Sequence, residues 1–204
     1  MSKVAISGNA SGTGTFTIQA PNSNTDRVLS LPDEAGTVLT SGTPLSSFPS
    51  GFANGITMIQ EWRLTTDLSS NGTVTPLEVV DEATSGSIGT GMSESSGIFT
   101  FPETGIYWII ATMKCNATAD DNISVNISVS TDSGSNYDIA AESFESGNGG
   151  AAVAGQGTCS YIMDVQNAST ARVKFEIVSL TSGVVQGVTS NTRTGFTFIR
   201  LGDT

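Results

Sequence analysis

GIFTFPETGIYWIIATMKCN, residues 97–116, joins two strand-like patterns through a proline and a glycine. Phe99 and Phe101 fall on one face of an extended chain, and Pro102 has no N–H to donate to a neighbouring strand. Gly105 permits a tight bend before a second apolar run begins. The stretch predicts two strands around a fixed corner, and none of its side chains indicates catalysis.

The remaining sequence predicts an all-β fold. Charged residues make up only 13% of the 204 residues, and Gly, Ser, Thr and Asn are plentiful, which is typical of short strands joined by many turns. Apolar and polar residues alternate, so that one face of an antiparallel sheet is buried. Strands are predicted near residues 56–65, 73–80, 97–101, 106–116, 121–131, 136–144, 151–165, 171–179, 184–189 and 193–201. About ten strands at this spacing fit an antiparallel jelly-roll sandwich.

Some strands are apolar on one face and others on both. Residues 122–130 alternate strictly between aliphatic and polar side chains, which predicts one buried and one wet face. The run after Gly105 and the last strand are apolar on both faces, so each is central or meets another subunit. Seven residues of these two strands are candidates for a subunit interface: Tyr107, Trp108, Ile110, Phe196, Phe198, Ile199 and Leu201.

Charge and composition exclude several kinds of partner. The net charge of −11 and the pI near 4.1 disfavour nucleic-acid binding, because the phosphate backbone would be repelled. No run of 18 apolar residues exists, and the amino terminus lacks a hydrophobic signal core, so we expect neither membrane insertion nor Sec export. Cys115 and Cys159 lie on different predicted strands, and we expect free thiols rather than a disulfide.

The absence of histidine limits the available chemistry. Ser-His-Asp and Cys-His nucleophile systems and His-containing zinc sites are excluded, and no CxxC or P-loop motif occurs. Paired carboxylates, as in glycosidases, stay open in principle, but no spacing singles out a pair. The sequence therefore predicts no catalytic residue, no cofactor and no strong metal site.

Weak calcium candidates do occur in acidic turns. Carboxylate and amide oxygens are offered by two groups: Asp120 with Asp121, and Asp132 with Asn136 and Asp138. Residues 130–137 also resemble the Asp-box hairpin, in which the aspartate holds its own turn. We favour the turn interpretation at Asp132.

The first 45 residues form a separate arm in this interpretation. Short alternating segments at 15–19 and 27–31 flank turn residues, and three small strands alone are marginal in water. A partner must therefore cover the apolar side chains of the arm, the anchor candidates Phe16, Ile18, Leu29, Leu31 and Val38. Residues 46–55, rich in small residues and proline, read as a linker, and residues 56–204 as the main domain.

Two resemblances connect these segments with known families. The pattern Gly-x-Phe-x-x-Pro-x-x-Gly-x-Tyr at 97–107 resembles the central motif of C1q-like domains, and residues 194–198 resemble their final strand. This resemblance implies a C1q/TNF-like jelly roll packed as a homotrimer. The opening strand region at 56–68 and the glycine-rich loop at 145–155 depart from that family.

The arm carries the second resemblance. Residues 29–39, LSLPDEAGTVL, resemble an element of tailed-phage tail fibres and other virion appendages. This implies a non-enzymatic structural protein on the virion surface, made in the host cytoplasm: a tail-fibre tip, spike or head decoration docked to other virion proteins through residues 1–45. Host adhesion would use distal loops, with Tyr137 and Asn148 as candidates for contacting a surface glycan or protein.

Two alternatives stay open at this stage. One is a small polysaccharide-degrading tail spike that uses two carboxylates, and it requires a cleft with two close acids. The other is a secreted C1q/TNF-like ligand, for which an export signal or a collagen-like stalk should precede the domain.

Overall fold

The computed structural model describes residues 11–15, 17, 22–26, 28, 55–118, 121–147 and 153–204. The chain divides into two units, Met1–Thr43 and Pro44–Thr204. The predicted anchor side chains, from Phe16 to Val38, lie outside the described residues, as does Asn148. The predicted boundaries of arm, linker and domain therefore stay predictions.

Twelve strands and no helix occur in the described part of the second unit. They are β1 (Met58–Leu64), β2 (Gly72–Thr73), β3 (Leu77–Val79), β4 (Ser93–Ser95), β5 (Ile98–Thr100), β6 (Gly105–Ala117), β7 (Asn122–Ser130), β8 (Asp138–Ser146), β9 (Val153–Val165), β10 (Arg172–Val178), β11 (Val184–Val185) and β12 (Gly195–Gly202). None of the described residues forms a helix long and apolar enough to span a membrane.

The strands form two antiparallel sheets. Sheet A has the order β9-β6-β12-β1-β3, and β11 pairs with the end of β6 beyond β12. Sheet B has the order β4-β5-β10-β7-β8, with β2 also pairing with β10. The longest ladder joins β6 to β9 over thirteen residue pairs, and β9 forms one edge of sheet A.

The predicted corner between β5 and β6 is confirmed. Phe99 and Phe101 are both buried, and the Phe101 ring packs edge-on against Tyr107 at 4.8 Å between centroids. Gly105 has φ of +144°, and a Cβ there would lie 2.6 Å from the carbonyl oxygen of Gly202. Only glycine fits this bend, because a side chain would collide with the last strand.

The hydrophobic core lies between the two sheets. Its centre is a group of aromatic rings in which Phe175 of β10 stacks on Phe196 of β12 with centroids 3.7 Å apart. Phe99 packs against Phe198 and edge-on against Trp62. Sheet A and sheet B are therefore joined by aromatic contacts from β1, β5, β10 and β12.

Some predicted strand boundaries are wrong. The predicted strand at 73–80 is two short strands, because Pro76 has no N–H for a ladder bond. The predicted strand at 184–189 is ordered as β11 over two residues only, and β4 was not predicted. The other predicted strands of the main domain are confirmed within a few residues of their ends.

Candidate interaction surface

The outward face of sheet A exposes a large aromatic side chain. Along β6, Tyr107 and Ile109 point into the core with no exposed surface, whereas Trp108 between them is 40% exposed. Trp108 lies directly opposite Ile162 of β9 and Ile199 of β12. Three apolar side chains from three neighbouring strands therefore meet on the outside of the sheet.

This contact continues across the sheet. Ile199 is paired with Ile59 of β1, and Ile59 is bridged to Ile88. The five residues form what we call the apolar row: Ile162, Trp108, Ile199, Ile59 and Ile88. Because adjacent strands lie about 4.8 Å apart, the row spans roughly 19 Å. Ile162 is 59% and Ile88 49% exposed, so the row is open to solvent in the single chain.

The seven predicted interface residues divide between the two sides of sheet A. Trp108, Ile110, Ile199 and Leu201 point outward, with Leu201 47% exposed. The other three, Tyr107, Phe196 and Phe198, have no exposed surface and lie in the core of the single chain. Their prediction as interface residues is therefore corrected, because a side chain buried between the sheets has no surface left for a partner.

Sequence reasoning missed the outer members of the apolar row. Ile162 and Ile59 alternate with buried neighbours, Met163 and Met58, and this alternation was a usable signal. Ile88 lies outside the strands and joins the row only through its bridge to Ile59. No pattern in the sequence marks that long-range pairing.

Tyr137, the described receptor-loop candidate, stays a prediction. It is half-buried, and the Lys174 ammonium lies 4.3 Å from its ring centroid. Burial raises the pKa of the Tyr137 hydroxyl. Of the two tryptophans and three tyrosines, all of them described, Trp108 is the most exposed, so it is the better placed for an intermolecular contact.

The Asp132 turn is closed by its own carboxylate, as the turn interpretation predicts. Asp132 Oδ1 accepts hydrogen bonds from the Ser130 hydroxyl and the Asn136 backbone N–H, and Oδ2 accepts from Asn136 Nδ2 at 2.7 Å. The Asn136 side chain and backbone lower the pKa of Asp132 to about 2. Calcium binding by Asp132, Asn136 and Asp138 stays a prediction. Asp132 and Asn136 are hydrogen-bonded to each other. Among the described residues, no group of three or more acidic or cysteine side chains is placed to hold a metal ion.

Asp121, the other described acidic candidate, ties two chain segments together. It is 3% exposed, and Oδ2 accepts from the backbone N–H and the hydroxyl of Thr118, both at 2.6 Å. Oδ1 accepts from the N–H groups of Thr181 and Ser182. Although burial raises the pKa of Asp121, these donors outweigh it and hold the pKa well below its usual range. The carboxylate is a structural joint between the end of β6, the start of β7 and the loop before β11.

The outward face of sheet B is polar at its centre. Ser124, Asn126 and Ser128 point outward from β7, opposite residues of β10 that include Lys174 and Glu176. The Ser128 hydroxyl donates to Glu176 Oε2 at 2.8 Å, and Lys174 pairs with Glu176 at 2.9 Å. Ser128, Lys174 and Glu176 on this surface therefore bind one another.

Exposed apolar residues on the β8 edge of sheet B are isolated. Phe144 is 62% and Ile139 61% exposed, yet each faces a serine of β7. They do not extend into a contiguous row, in contrast with the outside of sheet A.

Both cysteines are free thiols, as predicted. They point inward from β6 and β9 but are out of register, since Cys115 faces Gly155 and Cys159 faces Ala111. Burial raises the pKa of Cys159 to about 11 and raises that of Cys115 as well. Neither thiol has the lowered pKa of a reactive cysteine.

The two antiparallel sheets and their strand order define the class: a jelly-roll domain of the C1q/TNF type, as the central motif implies. Two similar solved structures are Eiger TNF from S. frugiperda, with a TM-score of 0.57 and 8% identity over 72% of this chain and 94% of that one, and murine APRIL, with a TM-score of 0.51 and 12% identity over 71% and 98%. At these identities the likeness shows the fold. No protein-family model and no curated protein matches this chain.

Proposed function

We propose that this chain is a non-enzymatic binding protein that assembles as a homotrimer through the apolar row at one end of sheet A and displays its loops to a ligand. The apolar row is the observation that carries this proposal. Its members are contributed by β9, β6, β12, β1 and the segment after β3, so the row is held rigidly by the sheet. Such a face is suited to a constant partner such as a second copy.

Covering the row contributes substantially to the free energy of association. Covering a half-exposed isoleucine or tryptophan contributes on the order of 1 kcal/mol. Five such residues in each of three copies offset a substantial part of the cost of association. A closed threefold arrangement lets every copy cover its row. The C1q/TNF resemblance implies the same symmetry.

The biological setting belongs to the same proposal. The likeness of residues 29–39 to tail-fibre elements supports a tailed-phage virion appendage, attached through residues 1–45 and located on the virion surface as a fibre tip, spike or head decoration. Adhesion to a host-surface glycan or protein would then gain from three identical copies. The strong negative charge supports solubility and discourages contact with DNA.

A second candidate is a TNF-like ligand of a cell-surface receptor. The observation that favours it is the fold likeness to Eiger TNF and APRIL, which covers nearly all of those chains. Both candidate functions require a homotrimer. They differ in the role of residues 1–45, which would have no virion partner in the second.

The test is the mass of the full chain in solution by light scattering, with matched variants. Ile162→Glu places a charge in the apolar row, whereas Ile139→Glu places one at a position of nearly equal exposure, 61% against 59%, on sheet B. We expect the wild type and Ile139→Glu to show three times the mass of one chain, and Ile162→Glu to show one. A monomeric wild type, or a trimer that survives Ile162→Glu, contradicts the proposed assembly.

A further inference from the structure

A polar cavity lies beside the apolar row on the outward face of sheet A. Its volume is about 510 Å³, within the range of small-ligand sites. It is lined by four strands of the sheet and by the loop before β12, and its lining includes Glu61, Thr112, Lys114, Gln156 and Arg193. Glu61 follows Ile59 by two residues on β1, and Thr197 precedes Ile199 by two on β12, so the cavity begins roughly 7 Å from the row.

The cations of the cavity are unusual in this acidic chain. The structure describes six basic residues, and three of them, Arg63, Lys174 and Arg200, form ion pairs with carboxylates. The side chains of Lys114 and Arg193 make no ion pair or hydrogen bond with any residue that the structure describes, and both line this one cavity. Glu61 is the only carboxylate among the described residues of the lining, so these side chains together carry one net positive charge.

The remaining lining groups restrict the chemistry of the ligand. They are hydroxyls and amides, from Thr112, Thr192, Thr197, Gln156 and Asn191, and no aromatic or aliphatic side chain lines the cavity. An apolar ligand would find no complementary surface, whereas a ligand with many hydroxyls could exchange hydrogen bonds with these groups. A carboxylate on that ligand would meet the guanidinium of Arg193 or the ammonium of Lys114.

We infer that the cavity is a binding site for an acidic sugar, a carboxylate-bearing unit of a glycan. Lys114 and Arg193 bind the carboxylate, and the surrounding hydroxyls and amides bind the sugar hydroxyls. This inference deepens the adhesion role proposed above and rests on it for its biological meaning, while the cavity itself belongs to the single chain.

The test is calorimetric titration of the full chain with sialyllactose and with a galacturonic acid trisaccharide. Lactose serves as the neutral counterpart, and sodium sulfate as a simple anion. We expect binding of at least one acidic sugar and none of lactose or sulfate. Lys114→Gln and Arg193→Gln should each weaken that binding about tenfold, because each removes one charge-assisted contact.

Two further variants make the result specific. Arg172→Gln removes the same charge from β10 of sheet B and should leave binding unchanged. Glu61→Gln removes the one lining carboxylate and should strengthen binding of the acidic sugar, the opposite direction to Lys114→Gln.

Four outcomes overturn the inference: no acidic sugar bound up to millimolar concentration, equal binding of lactose, sulfate bound as tightly as the sugars, or binding unaffected by Lys114→Gln and Arg193→Gln. The mass in solution is measured on the same samples. A trimer that binds no acidic sugar contradicts this inference alone, and a monomer that binds one contradicts the proposed assembly alone.

Discussion

The outward faces of the two sheets can be compared residue by residue, since both are built from alternating strands over a shared core. On sheet A, Trp108 has apolar neighbours on both sides, Ile162 and Ile199. On sheet B, Asn126 has acidic neighbours on both sides, Glu142 and Glu176. The two faces therefore differ in what lies across the strands, although each strand alone alternates in the same way.

The comparison shows which arrangement of exposed apolar side chains favours contact with another protein surface. A single exposed apolar side chain such as Phe144 is ordinary, because much of every protein surface is apolar. A row of apolar side chains in register on neighbouring strands has a contiguous area that water solvates poorly. The outward face of sheet B carries polar and charged side chains at its centre, whereas that of sheet A carries a contiguous apolar row.

The largest expected effect concerns the paired cations of the two faces. Arg63, on the outer side of β1, is 2% exposed and pairs with Glu78, Asp81 and Glu82. Arg63→Met removes the charge-assisted hydrogen bonds of a buried guanidinium to three carboxylates that are 34–79% exposed, so we expect a loss of about 3 kcal/mol in the free energy of unfolding. Urea denaturation measures it.

The matched variant for Arg63 is Lys174→Met on sheet B. Lys174 has one carboxylate partner and a ring contact, so its removal should cost about 1 kcal/mol. Equal losses for the two variants would mean that the Arg63 cluster is no more important than a surface pair.

The next effect concerns the joint between the sheets. Asp121→Asn places an NH₂ group against N–H or hydroxyl donors on whichever side it turns, and we expect a loss of about 2–3 kcal/mol at neutral pH. The folded pKa of Asp121 is lowered, so its contribution is complete above the unfolded value near 3.9 and is lost as the pH falls below it. The difference between wild type and Asp121→Asn should therefore shrink below about pH 4. Thermal unfolding at a series of pH values checks this, and a difference that stays constant with pH contradicts it.

A smaller effect, of opposite sign, is expected at the centre of sheet B. Asn126 is 3% exposed, and its Oδ1 is buried without a hydrogen-bond partner in the described part of the chain. Asn126→Val removes that unsatisfied acceptor and places a strand-favouring residue there, so we expect a gain of about 1 kcal/mol. Ser128→Val, two residues along, removes the hydrogen bond to Glu176 and should cost about 1 kcal/mol. Chemical denaturation that gives the same sign for both variants would contradict this account.

The smallest effect concerns the inner side of sheet A. Because burial raises the pKa values of both thiols, we expect Cys115 and Cys159 to react very slowly with iodoacetamide at neutral pH, and rapidly in urea. Mass spectrometry after timed alkylation measures this. Rapid modification of the native protein would mean that the strands β6 and β9 separate readily.

The sequence predicted most of the fold because its signals are local. Proline and glycine fixed the corner at 102–105, and strict alternation gave β7 its correct inward face. The groups that donate hydrogen bonds to the Asp132 carboxylate lie within four residues of it in the chain, so that turn was also predictable.

The interaction surface was predicted only in part because it depends on register between distant strands. Alternation shows that Tyr107 and Trp108 face opposite ways, but it does not say which of them faces the other sheet. The apolar row requires knowing that β9 lies beside β6 and that β12 lies between β6 and β1. Likewise, the cavity cations Lys114 and Arg193 are 79 residues apart in the chain, and that strand order brings both into the lining of one cavity.

The position of β12 has a consequence for biosynthesis. The last strand inserts between β1 and β6, so sheet A has a gap at its middle until residues 195–202 are available. Phe196 and Phe198, the rings that join the two sheets, arrive with that same strand. A chain emerging from the ribosome at about 5–20 residues per second therefore carries its amino-terminal strands unpaired on one edge for several seconds. We expect the domain to complete folding only after residues 195–202 have left the ribosome, which makes nascent chains the form most exposed to aggregation.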